Sequence, residues 1–216
     1  MVRTTRAGFM VLRSAVIMNQ KLSYTIVKGW VTPGKPHDGQ WWERLSVSQR
    51  LLLLSEGSMT VNLELFSGSG EKVEADVRFA GSGALDEGEA LCLEEDKGKG
   101  AFEREVWLKI TGKMLICART VIPFDRIDAV LLKTLMDEDA PQPLGRILRE
   151  KNMGFSKEKI ELAVLTSPQV SKVLAVSANT PFAARRYVLL SKAGAAGLWN
   201  IKASIMEIFS PELIAV

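Results

Sequence analysis

Glu103–Pro123, EREVWLKITGKMLICARTVIP, is the stretch whose reading decides the fold. Its side chains alternate with period two on both sides of Thr111-Gly112, the pattern of two half-buried strands joined by a tight turn. On the first strand Val106, Leu108 and Ile110 share one face, Glu105 and Lys109 the other, and Arg104 falls with the apolar set. Arginine stays protonated and offers a planar fork of donors, so a guanidinium in a greasy layer calls for a carboxylate or phosphate. A two-residue turn, Thr111 and Gly112, places Arg104 opposite Arg119, with both guanidiniums in the layer of Leu108, Leu115 and Cys117. A three-residue turn instead puts Thr120 opposite Arg104 and sends Arg119 to the far side. Register therefore sets the strength of the signal.

Towards the N-terminus, Ser46-Val47-Ser48-Gln49 has capping-box spacing and opens a short apolar helix that runs to Leu54. Ser58 to Phe66 reads as a strand with Met59, Val61, Leu63 and Leu65 on one face. Lys72 to Phe79 repeats the pattern, and Ser67-Gly68-Ser69-Gly70 joins the two as a hairpin. Ala80 to Gly88 and Glu94 to Gly100 read as turn-rich surface segments around a short apolar piece at Leu91. Val31 to Gln40 is a loop by its prolines and glycines, and Trp41 and Trp42 after it cover an edge of the core. Residues 1–30 show no clear period.

Towards the C-terminus, Ile127, Val130, Leu131 and Leu135 give Phe124 to Met136 the spacing of a one-faced helix. Pro143 opens a second short helix through Leu148, and Lys159 to Thr166, Phe182 to Lys192 and Leu198 to Phe209 read as strands. The sum is six or seven antiparallel strands with interleaved helices, an α+β domain over residues 45–216 behind an N-terminal extension, residues 1–44.

The last strand repeats the oddity of the first. Ile201, Ala203, Ile205 and Phe209 share one face, and Glu207 belongs with them. A carboxylate in an apolar row must be paired, neutralised or engaged with a ligand. Either Glu207 forms a buried ion pair with Arg104 or Arg119, or it faces a bound molecule.

With 216 residues, 47% hydrophobic and 25% charged, the chain suits one sizeable core. Its formal net charge of +3 is too small and dispersed for a nucleic-acid partner and favours a small anion. Cys92 and Cys117 lack metal-type spacing and read as buried thiols in a reducing compartment. His37 is the sole histidine, so a His-based metal site or a Ser-His pair has little support. Met1 to Asn19 has the outline of a secretion signal, but Arg13 interrupts its apolar run. No other segment has the apolar length of a membrane span, and a cytoplasmic location is expected.

Five separated pieces resemble, in order, the chorismate lyase (chorismate pyruvate-lyase) family: Leu53 to Thr60, Arg104-Glu105, Ala118 to Pro123, Pro143 to Arg146, and Glu207 to Phe209 before Pro211. The resemblance implies a single antiparallel sheet with helical flaps enclosing a buried ligand cavity. It also implies conversion of chorismate to 4-hydroxybenzoate and pyruvate with no metal or organic cofactor. It further implies that Arg104 holds the ring carboxylate, Glu207 meets the ring hydroxyl, and backbone groups at Met59 and Leu144 complete the polar contacts. Arg104 and Glu207 are thus the expected catalytic pair, with Met59 and Leu144 in the expected substrate site; Arg119 either joins them there or faces outward in a structural pair with a surface carboxylate.

The chain departs from the family's better-known bacterial members in its residues ahead of the matching helix and in a longer connection from Leu189 to Asn200. Phe182 to Arg186 is also less basic than the comparable arginine-rich piece, so Arg185 and Arg186 receive no role. The rival expectation is a sensor of small aromatic acids built on the same fold. Such domains follow a helix-turn-helix module, which residues 1–44 are too short and too Pro/Gly-broken to supply. A third reading, an interaction module using Trp41 and Trp42, predicts an exposed apolar patch instead of a cavity.

Overall fold

In the computed structural model, which describes residues 21–34, 41–68, 70–127, 129–137, 139–192 and 200–216, the Thr111-Gly112 turn forms between β3 (Gly100–Ile110) and β4 (Lys113–Pro123). Both turn residues have positive φ, 52° and 78°, as a two-residue hairpin matched to strand twist requires. Ile110 pairs with Lys113 and Lys109 with Met114, but the register then shifts and Leu108 pairs with Ile116. Leu115 is the extra residue of a β-bulge. Beyond it Arg104 faces Thr120, and Glu105 faces Arg119. Of the two outcomes that the sequence leaves open, the structure has Thr120 opposite Arg104 and Arg119 on the far side, reached by a two-residue turn plus a bulge and not by a three-residue turn.

Around this hairpin run β1 (Thr25–Val31), β2 (Glu74–Ala84), β5 (Gly154–Thr166), β6 (Phe182–Lys192) and β7 (Asn200–Phe209). They form one seven-stranded antiparallel sheet in the order β1-β5-β6-β7-β4-β3-β2. The helices are α1 (Val47–Leu54), α2 (Met59–Ser67), α3 (Glu87–Leu93), α4 (Ala129–Leu135), α5 (Leu144–Glu150) and α6 (Pro168–Val173). A 3-10 turn at Trp41–Arg44 buries both tryptophans, and another at Phe124–Arg126 precedes α4. The α+β class and the single antiparallel sheet are as the sequence predicts. Among the described residues, no helix is long and apolar enough to cross a membrane.

Two local expectations are overturned. Ser58 to Phe66 is a helix, α2, and the hairpin proposed with Lys72 to Phe79 does not exist. A short apolar run suits either period. Here Met59, Thr60 and Leu63 are buried together at helical spacing, and Gly68 ends the helix in the left-handed conformation. Ala80 to Ala84, expected as turn, continues β2 against β3, where Gly83 lies under the Glu103 side chain. The capping box at Ser46 and Gln49 forms as expected, and Leu52 and Leu53 of α1 are buried. The readings of Met1 to Asn19 and of His37 fall outside the described residues.

The two faces of the sheet carry separate cores. On the face covered by α1, α2, α4 and α5, Val106, Leu108, Ile116 and Phe209 pack with Leu53 and Leu63, and Phe102, Ile122, Ile205 and Tyr187 pack with Leu131 and Leu148. On the other face, covered by α3 and α6, Trp107, Cys117, Phe182 and Ile208 pack with Leu22 and Val170, while Val121 and Ala101 pack with Ala90 and Leu93. Each fully buried Phe or Leu contributes about 1.5–3 kcal/mol against exposure. Cys117 is buried and Cys92 half-buried, both as free thiols. Burial pushes the Cys117 thiol up to about 12, which leaves it inert.

Candidate functional site

Cross-strand partners point to the same face of a sheet, so the pairing register alone groups the polar side chains. One row runs Arg104, Thr120, Ile205, Tyr187 across β3, β4, β7 and β6. The next runs Val106, Ala118, Glu207, Arg185. Both rows face α2 and α5, and between sheet and helices lies a cavity of about 60 Å³. Its floor includes Arg104, Thr120, Tyr187, Glu207 and Lys157, and its roof is Ser58–Thr60 and Pro143–Gly145.

Arg104 is 3% exposed. Its Nη2 donates to the Gln142 carbonyl at 2.9 Å, and its Nε has no protein partner. Among the described residues no carboxylate lies within ion-pair distance of it, and burial lowers its pKa to about 10. A guanidinium so placed is desolvated without compensation, which is costly until an anion arrives.

Glu207, 4% exposed, is held on both oxygens. Arg185 Nε donates to Oε2, and the Tyr187 hydroxyl donates to Oε1 at 3.3 Å. Burial, and then the Glu207 charge, push the Tyr187 phenol well above its ordinary value, so it remains a donor. Arg185 is fully buried and also donates through Nη1 to the carbonyls of Leu52, Leu53 and Ser55 at 3.3, 2.9 and 3.1 Å. These are the terminal acceptors of α1, where a cation offsets the unpaired carbonyls. Burial is the largest influence and opposes the Arg185 charge, but Glu207 and Tyr187 together outweigh it and the pKa rises.

The roof is two helix starts. Ser58 before α2 and Pro143 before α5 make no side-chain cap bond, and Met59 and Leu144, the first residues of the two helices, line the cavity. The helices touch there closely, because a Cβ on Gly145 would lie 2.7 Å from Ser58 Oγ and 3.1 Å from Thr60 Oγ1. Arg146 ties them together by donating through Nη2 to Glu64 Oε1 at 2.9 Å and to the Val73 carbonyl at 2.8 Å.

Of the residues named from the sequence, Arg104, Glu207, Met59 and Leu144 line this one cavity, and Arg119 does not. On the opposite face Arg119 donates to Glu89 Oε1 at 3.1 Å, Glu103 Oε2 at 2.8 Å and Glu105 Oε1 at 3.1 Å. Burial is the largest influence and works against its charge, but Glu89, Glu103 and Glu105 together outweigh it and raise the pKa. Glu207 pairs with neither Arg104 nor Arg119. Its partner is Arg185, which sequence reasoning left without a role. The parity that Arg185 shares with Tyr187 and Leu189 was the available signal.

The fold and this cavity define a class: α+β domains in which the starts of two helices cover a cavity on one face of a single antiparallel sheet. Within it, residues 53–216 match the family described as chorismate pyruvate-lyase, Rv2949c-like, and the chain belongs to that family. No curated protein sequence matches the chain. Among solved structures it is similar to PhnF from Mycobacterium smegmatis, with TM-score 0.54 and 18% identity over 73% of this chain and 65% of that one. It is also similar to the effector domain of PhnF from Mycobacterium smegmatis, with TM-score 0.54 and 17% identity over 74% of this chain and 91% of that domain. At these identities the likeness establishes the fold and nothing finer, and the chain spans 65% of the length of the first of these proteins.

Proposed function

We propose that this protein is a chorismate lyase, with residues 45–216 as the catalytic domain behind an N-terminal extension, residues 1–44, from which β1 (Thr25–Val31) joins the edge of the sheet. The observation that carries the reading is Arg104, a buried guanidinium with one carbonyl partner and no counter-ion among the described residues, at the wall of a cavity that also holds Glu207. Membership of a family described as chorismate pyruvate-lyase supports the reaction proposed here, a loss of pyruvate from chorismate that would leave 4-hydroxybenzoate.

In this mechanism Arg104 grips the ring carboxylate with its fork of donors. Glu207, fixed by Arg185 and Tyr187, accepts the hydrogen bond of the ring hydroxyl and orients or takes the proton released as the ring becomes aromatic. The ether bond breaks, its electrons leave with the enolpyruvyl group, and protonation of that group yields pyruvate. The N–H groups of Met59 and Leu144 contact the substrate from the lids, and closure excludes water. The driving force is aromatisation of the substrate, so the protein groups need only orient charge and protons.

Incubation with chorismate, followed by detection of 4-hydroxybenzoate and pyruvate, tests the reading. Arg104→Ala should lose most turnover and most product affinity, and Glu207→Ala should lose turnover more than affinity. Full activity in either variant removes the assigned role. The PhnF effector domain shares this fold. Tight binding of an aromatic acid with no product formed would therefore assign a sensing role instead.

A further inference from the structure

We propose that Lys157 is a second anion anchor of the cavity, so that the site selects a dicarboxylate with one acid group on Arg104 and the other on Lys157. This rests on the reading of the cavity as a small-acid site and adds to it the number and placement of the charges.

Lys157 lies on β5, paired with Leu189, at the cavity wall opposite Arg104. It is buried, and its Nζ donates to the carbonyls of Ser55 at 3.0 Å and Gly57 at 2.7 Å, in the segment that joins α1 to α2. An ammonium has three donors. The third has no protein partner among the described residues, and no carboxylate there lies within ion-pair distance. The ammonium sits 4.8 Å from the centroid of the Tyr187 ring, which also lines the cavity. Burial lowers its pKa to about 8, a shift that the Glu207 charge only partly offsets.

The charges of the cavity do not cancel. Glu207 is matched by Arg185, which leaves Arg104 and Lys157 as two positive charges without anions. A monocarboxylate would neutralise one and leave the other buried, whereas a dicarboxylate satisfies both. Their strands are far apart: in the order β5-β6-β7-β4-β3, four spacings separate them, about 19 Å along the sheet. Two long side chains reaching inward from there face acid groups several ångströms apart, with Glu207 on β7 between them. The ligand class is a dicarboxylate whose two acid groups lie several ångströms apart.

The test compares a monoanion, 4-hydroxybenzoate, with an unreactive dianion of the inferred shape, 3-(carboxymethoxy)-4-hydroxybenzoate, by calorimetric titration of the full chain. Lys157→Met should weaken the dianion tenfold or more and leave the monoanion within twofold, and Lys157→Arg should restore most of the loss. Equal weakening of both ligands would show that Lys157 only holds Ser55 and Gly57 in place, and that result overturns the proposal. So does a wild-type protein that binds the two equally, or binds neither. The lyase reading fails separately: a protein that prefers the dianion through Lys157 yet forms no product from chorismate keeps the anchor and loses the reaction. Turnover with an unchanged KM in Lys157→Met does the reverse.

Discussion

The two faces of one sheet each bury an arginine, and the two are treated in opposite ways. Arg119, on the face covered by α3, is ringed by Glu89, Glu103 and Glu105. Arg104, on the facing strand one register position away, has a single carbonyl partner and an unpaired Nε. Both are almost fully buried, so the difference lies in what the protein supplies as counter-charge. A compensated buried ion serves the fold. An uncompensated one costs stability for as long as no anion neutralises it, and the binding role proposed for Arg104 rests on that difference in counter-charge, not on burial.

Four experiments break or sharpen the contrast. The largest effect is expected from Arg119→Met, which leaves three carboxylates around an uncharged side chain and should cost about 3–5 kcal/mol in urea unfolding, with turnover per folded molecule unchanged. A loss of ligand affinity instead would put Arg119 back in the site.

Next is the pH dependence of the unliganded protein. An unfolded chain keeps the Lys157 proton up to its ordinary 10.5, while the folded chain releases it near 8. Between those values the unfolded state binds more protons, so stability rises with pH across that window, by at most about 3 kcal/mol. The gain should be absent in Lys157→Met. A stability profile identical in the two proteins would show that the ammonium is not desolvated.

Third, Glu207→Gln should lower turnover about 100-fold or more, while 4-hydroxybenzoate affinity falls by much less. Equal losses in both would make Glu207 a binding group only. The smallest effect is expected from Gly145→Ala, whose methyl meets Ser58 Oγ at 2.7 Å and holds the lids slightly apart. Ser58 can rotate, so the loss of product affinity should be a few-fold, about 1 kcal/mol, with faster product release. No change in release rate would mean that the Gly145 contact is not the lid closure.

Much of this was legible in the sequence. Arg104 and Glu207 stood out because a charge in a period-two apolar row has few innocent explanations. The face of Arg119 was not legible, because it depends on the bulge at Leu115, which leaves no mark in composition. Lys157 was hidden in the same way: the register slips between Glu158 and Glu161, with Lys159 at φ 53°, so the alternation that would place Lys157 inside is broken just after it. Arg185 and Arg186 are adjacent, and alternation sends one to Glu207 and the end of α1 on one face of the sheet and the other to Glu161 and the Trp30 ring. Two basic residues in a row look like a solvated patch unless the strand is read residue by residue. The lid helix α2 was missed because a short apolar run fits both periods, and only its packing under α5 decides between them.

The most direct test of the contrast is a pair of thermal melts on wild type and Arg104→Met, with and without 4-hydroxybenzoate. The uncompensated guanidinium predicts that Arg104→Met alone melts at or above the wild-type temperature, and that only the wild type is stabilised further by the ligand. A variant that melts well below wild type yet still gains stability from 4-hydroxybenzoate would show that Arg104 serves the fold and that the carboxylate is held elsewhere.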